Sequence, residues 1–380
     1  MRERKVIMSD FNEMREAVRD PYGYARQWKA KAHGKMVGYF CSYAPEEMIW
    51  AAGALPFRIF SRKGSIHLAD QHLQSYCCSL VRSVLEEALS GELDFLDGAV
   101  FPHTCDSIQR LSDIWRMNVP SGFHADVVLP VKLNTDSARE YMADVLRAFR
   151  TDLGKKLGVA ITDEALRASM ALYGQLRGAL RRIYEMRAER PDIISGSDVY
   201  HMVKASMIMD RARFLTLLSG VVRDLEQKKD DGVKRDGKRV VLSGGICDFP
   251  DIYPLIDEAG GIVVWDDLCT GMRSFEGDFD GPSDPIEAIA GRYLDRIVCP
   301  AKHSGLTSRA DHLVRMVRER AAQGVIVLLL KFCDPHAFDY PSLKNALDRE
   351  GIPSLLLEVE DQLPPEGQLK TRFEAFLEML

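Results

Sequence analysis

Hydrophobic and polar positions along this chain of 380 residues follow two rhythms. Short apolar runs bounded by Gly or Pro predict buried strands at 35–40, 56–60, 96–101 and 125–131, and stretches with apolar residues every three or four positions predict helices at 45–52, 71–89 and 104–117. Residues 1–35 read as a helical arm broken at Pro21, Tyr22 and Gly23. From 137 to 229 the period is helical almost throughout, with breaks near Gly158 and between Pro191 and Gly196. A charged, Gly-containing run at 230–238 reads as a boundary. Beyond it strands are expected at 239–243, 261–265, 324–330 and 353–358, and helices at 251–259, 310–323, 342–350 and 368–380. Alternating strand and helix is the composition of parallel sheets. The expected organisation is α/β: a helical arm (1–35), a first α/β domain (36–136), a helical connector (137–236) and a second α/β domain (237–380). No repeat of fixed short period occurs, although the two halves are open to a shared topology.

Composition changes this picture only by exclusion. The chain is 46% hydrophobic and 28% charged, ordinary for a globular protein of more than one core. A formal charge of −6 gives no basic footprint for nucleic acid. The first ten residues are charged from the second onward, and no long apolar stretch follows, so a cytoplasmic protein without membrane spans is expected. No GxxxxGK[ST] motif, no GxGxxG after a strand and no GxSxG elbow occurs, which argues against a nucleotide site of its own and against hydrolase chemistry.

The candidate chemistry lies in eight cysteines, expected to be thiols in a reducing compartment. No CxxC pair occurs, so a zinc ribbon or ferredoxin-type run is unsupported and any metal site must be assembled from distant segments. Ligands in doubly wound folds gather beyond the carboxyl ends of parallel strands. Cys41, Cys105, Cys247 and Cys333 each follow a predicted strand, and Cys78 falls near the start of a predicted helix, whose dipole favours a thiolate. Taken singly, each is most simply a small buried hydrophobe. Cys105 and Cys333, however, lie in two polar strand exits of similar form, Pro102-His103-Thr104-Cys105-Asp106 and Lys331-Phe332-Cys333-Asp334-Pro335. Thiolates without interleaved His suit an iron-sulfur cluster, and three of them leave one iron open. His103 is the candidate to hydrogen-bond a cluster sulfur or shuttle a proton. Ser243-Gly244-Gly245-Ile246-Cys247 is open between an amide cradle and a tight turn.

These residues resemble those of the 2-hydroxyacyl-CoA dehydratase and benzoyl-CoA reductase subunits. The resemblance is carried by Gly38-Tyr39-Phe40-Cys41-Ser42-Tyr43-Ala44-Pro45-Glu46-Glu47, by Cys78-Ser79-Leu80-Val81-Arg82-Ser83, by Pro102 to Ser107, by Lys331 to Pro335 and by Thr371-Arg372-Phe373-Glu374-Ala375-Phe376. It implies two Rossmann/flavodoxin-like parallel-sheet domains joined by a helical segment, with a [4Fe-4S] cluster on Cys78, Cys105 and Cys333. Cys77 competes with Cys78, but the spacing to Arg82 and Ser83 favours Cys78. Cys41 stays open between a fourth ligand and a bystander.

Within that family the run from Gln74 to Arg82 and the run from Cys105 to Arg116 look most like the small cluster-bearing subunit of ATP-dependent benzoyl-CoA reductase. The activity implied is one-electron reduction of an aromatic acyl-CoA to the dienoyl-CoA. The partners implied are a related second cluster-bearing subunit and an ATP-hydrolysing iron-sulfur activator. Three alternatives stand beside it: a 2-hydroxyacyl-CoA dehydratase subunit, a homodimeric double-cubane-cluster reductase, and a non-catalytic electron-relay subunit.

Overall fold

The computed structural model describes residues 2–61, 64–120, 122–228, 237–245, 252–279, 284–360 and 364–380. The arm is two helices, α1 (Arg2–Arg19) and α2 (Pro21–Ala32). Asp20 accepts the Gly23 amide and Pro21 sits in the first turn of α2, so the Pro-Tyr-Gly sequence starts a helix there.

The first sheet is built from β1 (Lys35–Tyr39), β2 (Ala54–Arg58), β3 (Gly98–Phe101) and β4 (Phe123–Asp126), all parallel, in the order β2-β1-β3-β4. Their crossovers carry α3 (Glu46–Ala51), α4 (Ser79–Leu89) and α5 (Asp106–Asn118). The expected helix at 71–89 is shorter than its apolar period suggested: a 3-10 turn at Ala69–Gln71 and further turns precede α4, leaving Cys78 as its N-cap.

Four helices follow, α6 (Asp136–Leu157), α7 (Asp163–Glu189), α8 (Gly196–Ile208) and α9 (Arg211–Gln227). Both expected breaks occur. A third, at Met209 and Asp210, is one the periodicity did not reveal; Asp210 caps α9 by accepting the Ala212 and Arg213 amides. The charged run at 230–238 lies, as far as residue 236, outside the described residues.

The second sheet repeats the first. β5 (Lys238–Gly244), β6 (Gly261–Asp267), β7 (Gly324–Leu330) and β8 (Ser354–Val359) are parallel in the order β6-β5-β7-β8. α10 (Tyr253–Glu258) joins the first pair, and α14 (Asp334–Arg349) joins β7 to β8. Between β6 and β7 stand α11 (Met272–Phe275), α12 (Pro285–Asp295) and α13 (Ser308–Glu319), and α15 (Glu366–Glu378) ends the chain. Neither α11 nor α12 is expected from the apolar periodicity.

Each strand sends alternate residues to opposite faces, as its period of two requires. Val37, Tyr39, Val100 and Ala125 meet α3, α6 and α12 in one core, while Val240, Leu242, Ile326, Leu328 and Leu357 meet α10 and α15 in another. The other faces, with Met36, Phe40, Phe101, Val241 and Val325, share one continuous core that runs through the helices between the sheets. α12 lies in the second half of the sequence but packs on α6, and a bridge pairs Lys132 with His303. The two sheets are thereby held with strand ends facing a common space.

Candidate functional site

In each sheet the strand order reverses direction between the first strand and the third, and crossovers leaving opposite ways open a crevice at that point. The two reversal points, β1/β3 and β5/β7, border the same cavity. It measures about 80 Å³ and is almost wholly apolar. Of the seven described cysteines, six line it: Cys41, Cys78, Cys105, Cys269, Cys299 and Cys333. Cys77 is buried nearby and is not among the lining residues. Cys247 lies outside the described residues, and so does Ile246.

Strand exits deliver four of the six thiols. Cys41 follows β1, Cys105 follows β3, Cys269 follows β6 and Cys333 follows β7. Three of these exits hold a non-glycine residue at positive φ: Cys41 (59°), His103 (26°) and Phe332 (62°). That conformation is uncommon and costs energy, and it persists where surroundings over-determine it. Here it turns the chain sharply enough to aim each cysteine into the crevice. Cys105 and Cys333 are then the N-caps of α5 and α14, as Cys78 is of α4. Gly244, at φ +149°, allows β5 to approach β7: a Cβ there would lie 2.1 Å from the Leu328 carbonyl oxygen. Gly245 lines the cavity and accepts the Cys269 amide at 2.8 Å. Within the described residues, the Gly-Gly segment is thus a close-packing device.

The thiols fall into two groups by what acts on them. Burial pushes Cys78 up to about 12 and Cys105 up to about 11. Cys333 stands well above the ordinary thiol range, from burial first and then from Cys78 and Cys105 beside it. Amides of the first turns of α4, α5 and α14 oppose the rise. In the second group, Cys41 shares its proton with Cys269. That hydrogen bond, with Arg273 and Arg58 close by, holds Cys269 well below the usual range. Cys299 is raised by burial and by Cys269.

Besides the thiols, His336 lines the cavity, and burial drives its ring toward the neutral form. His103, the imidazole expected from sequence to serve chemistry, points elsewhere: its Nε2 lies 2.7 Å from Asp126 Oδ1, in a network with Ser112 and His124, and it is not among the lining residues.

A second, open cleft of about 590 Å³ adjoins the cavity, and Thr104, Cys105, Ala301 and Pro335 line both. Such a volume suits a small-molecule ligand. Lys302 is buried in its wall and gives one N–H of its ammonium to the Leu129 carbonyl at 3.2 Å.

The match to known proteins follows this architecture. The sequence pattern described as 2-hydroxyglutaryl-CoA dehydratase, D-component, matches residues 41–380, from the first cavity cysteine to the last residue. This chain belongs to that dehydratase family.

Three curated members are similar to it over most of its length. The (R)-phenyllactyl-CoA dehydratase beta subunit of Clostridium sporogenes is 26% identical over 370 residues, covering 97% of this chain and 98% of that protein. Lactoyl-CoA dehydratase subunit beta of Anaerotignum propionicum is 27% identical, covering 97% and 98%. A benzoyl-CoA reductase subunit of Thauera aromatica is 30% identical over 336 residues, covering 87% and 86%. The family thus includes both dehydratase and reductase subunits. Among the described residues no helix is long and apolar enough to cross a membrane.

Sequence reasoning named Cys78, Cys105 and Cys333, left Cys41 open and missed Cys269 and Cys299. Cys269 follows its strand as the other exit cysteines do, and the same rule reaches it once β6 extends to Asp267. Cys299 follows a helix and carries no local signal.

Proposed function

We propose that this dehydratase-family member is a low-potential iron-sulfur reductase in which six thiolates hold two joined [4Fe-4S] units, Cys78, Cys105 and Cys333 on one and Cys41, Cys269 and Cys299 on the other. The observation that carries the reading is six thiols lining one apolar cavity. One such cluster with an open iron uses three thiolates, so three remain. Among the described residues no three His, Cys, Asp or Glu groups converge on a single metal ion. The surroundings fit an anion, because Arg58 Nη2, Arg273 Nη1 and Arg296 Nε are buried N–H groups around the second group that find no acceptor among the described residues. A buried donor left unpaired costs about 1–3 kcal/mol, more when charged.

When bound, such a cluster supplies single electrons at strongly negative potential. The residues do the rest. Raised thiols stay protonated until iron displaces their protons, so loading releases protons to solvent. The apolar lining excludes water, His336 offers a hydrogen bond inside it, and Lys302 places a positive charge where cavity and cleft meet.

A second reading has its own support in the benzoyl-CoA reductase relative. The chain would then carry one [4Fe-4S] cluster on Cys78, Cys105 and Cys333 and act on an aromatic acyl-CoA, with a related second subunit and an ATP-hydrolysing activator. A 2-hydroxyacyl-CoA dehydratase subunit would use the same three thiolates to eliminate water. In either case His103, paired with Asp126, would handle protons from outside the cavity wall.

Anaerobic reconstitution with iron and sulfide, followed by counting, decides between them. The double-cluster reading expects about eight irons per chain and the others about four. At about four, benzoyl-CoA and a 2-hydroxyacyl-CoA, supplied with activator and partner, separate reductase from dehydratase by product.

A further inference from the structure

The two groups of thiols sit in unlike electrostatic surroundings. Arg58, the last residue of β2, is 2% exposed and donates through Nη1 to the Cys269 carbonyl at 3.1 Å. Arg296, just after α12, is 6% exposed, donates through Nη2 to the carbonyl of Ser42 at 2.7 Å, and stacks over Tyr43 at 4.1 Å. Ser42 adjoins Cys41 in sequence. Among the described residues neither guanidinium forms an ion pair with a carboxylate, and the buried Glu276 acts on Arg296 only at longer range. A third arginine, Arg273, pairs with Asp267, which Arg309 also binds.

Around Cys78, Cys105 and Cys333 the neighbours are different: the first-turn amides of three helices, the Asp106 carboxylate and the other thiols, with Lys302 acting less on Cys105 than on Cys41 and Cys299. A helix N-terminus brings about half a positive charge, spread over its first turn. A buried guanidinium brings a whole one in a low dielectric, and leaving it without an anion is costly. Reduction adds one negative charge to a cluster, so nearby buried cations favour the reduced form.

We infer that Arg58 and Arg296 make the cluster half held by Cys41, Cys269 and Cys299 the more easily reduced of the two, a division that rests on the double-cluster reading. Each half takes one electron from a one-electron donor, which loses one. The arginine-flanked half fills first. The half on Cys78, Cys105 and Cys333, whose Cys105 also lines the open cleft, fills second and at the more negative potential, and it is the half that meets a small substrate in the cleft.

The test uses the full chain, reconstituted anaerobically, as wild type, Arg58→Gln, Arg58→Lys and Arg296→Gln. Iron is counted, and the protein is reduced stepwise with titanium(III) citrate while electron paramagnetic resonance follows each step. At about eight irons per chain, two separate steps are expected. Arg58→Gln and Arg296→Gln should each move the first midpoint to more negative potential and leave the second in place, and Arg58→Lys should keep the first near its wild-type value. Equal movement of both midpoints, or of neither, overturns the division while leaving the double cluster standing. About four irons per chain overturns the double cluster and the division together. Should Arg58→Gln load less iron than wild type, Arg296→Gln decides by the same criterion.

Discussion

Cys105 and Cys333 occupy matching places in the two halves of the molecule: each is the N-cap of the helix that leaves the strand beyond the reversal point of its sheet, and both line one cavity. The match extends to the residue that follows, aspartate in both cases, and to a positive-φ residue just before, His103 in one and Phe332 in the other. Two copies of one topology therefore meet at equivalent strand ends, and the thiols of both halves share one space.

Replacing Cys105 or Cys333 by Ser should abolish stable iron incorporation on the Cys78 side of the cavity, and Cys77→Ser should leave it intact. Cys299→Ser should lower the iron content by roughly half if two units are present. Iron analysis with the visible absorbance of the reconstituted protein reads all four variants. Full iron in Cys105→Ser would remove the ligand assignment.

Glu47 on α3 is fully buried and binds Arg177 of α7, Arg292 of α12 (3.2 Å) and the Tyr293 hydroxyl (3.1 Å). Burial by itself would raise this carboxyl, but the two guanidiniums outweigh it and hold it at about 2. A depressed folded value means the stabilisation is complete above the ordinary value of 4.5 and is lost as the pH falls through about 2. Glu47→Gln leaves two buried arginines without their anion and should cost about 3–5 kcal/mol. Urea unfolding near neutral pH measures that cost, and an acid series should show a shallower loss in the variant.

Glu276 behaves in the opposite sense. Burial raises it from 4.5 to about 7, although the Ile297 amide, which it accepts at 2.9 Å, and Arg296 pull it down. A raised folded value makes its contribution complete below 4.5 and lost as the pH rises through about 7. Wild-type stability should therefore decline across that window, and Glu276→Gln should flatten the decline. Denaturation midpoints at several pH values compare the two proteins; parallel curves would count against the assignment.

Gly244→Ala introduces a methyl against the Leu328 carbonyl at a φ that side chains rarely adopt. The expected loss is about 1–3 kcal/mol, together with impaired cluster loading, because the strand it separates lies between two cysteine-bearing exits. Gly158→Ala, also at positive φ but with open space around it, should cost less and leave loading unchanged. Thermal unfolding and iron content of both variants provide the comparison.

Several elements were legible because local patterns decide them. β7 lies at 324–330, where its apolar run between Gly and Lys placed it, and the long helical stretch breaks at Gly158 and at Pro191 to Gly196. Others were not. α14 begins at Asp334, eight residues before the expected 342, because Pro341 inside the helix reads as a breaker while Pro335 in its first turn is tolerated. α12 carried a start signal, Asp284 before Pro285, but its apolar face finds its partner on α6, more than a hundred residues earlier.

By itself the sequence determined the α/β alternation and the family, and it singled out as candidates cysteines whose strand-exit or helix-start settings are local. Those features depend on periodicity, turn chemistry and short motifs, which neighbours along the chain specify. Only the tertiary structure decided that the two sheets share a topology and face one cavity, that Cys41, Cys269 and Cys299 join the other three there, and that His336 rather than His103 lines it. Cys299 shows why: it enters the cavity because α12 packs across onto α6 and the chain then runs back past Tyr43, whose hydroxyl accepts the Cys299 amide at 3.4 Å. Contacts between residues so far apart are set by which faces bury together, and no local pattern records them.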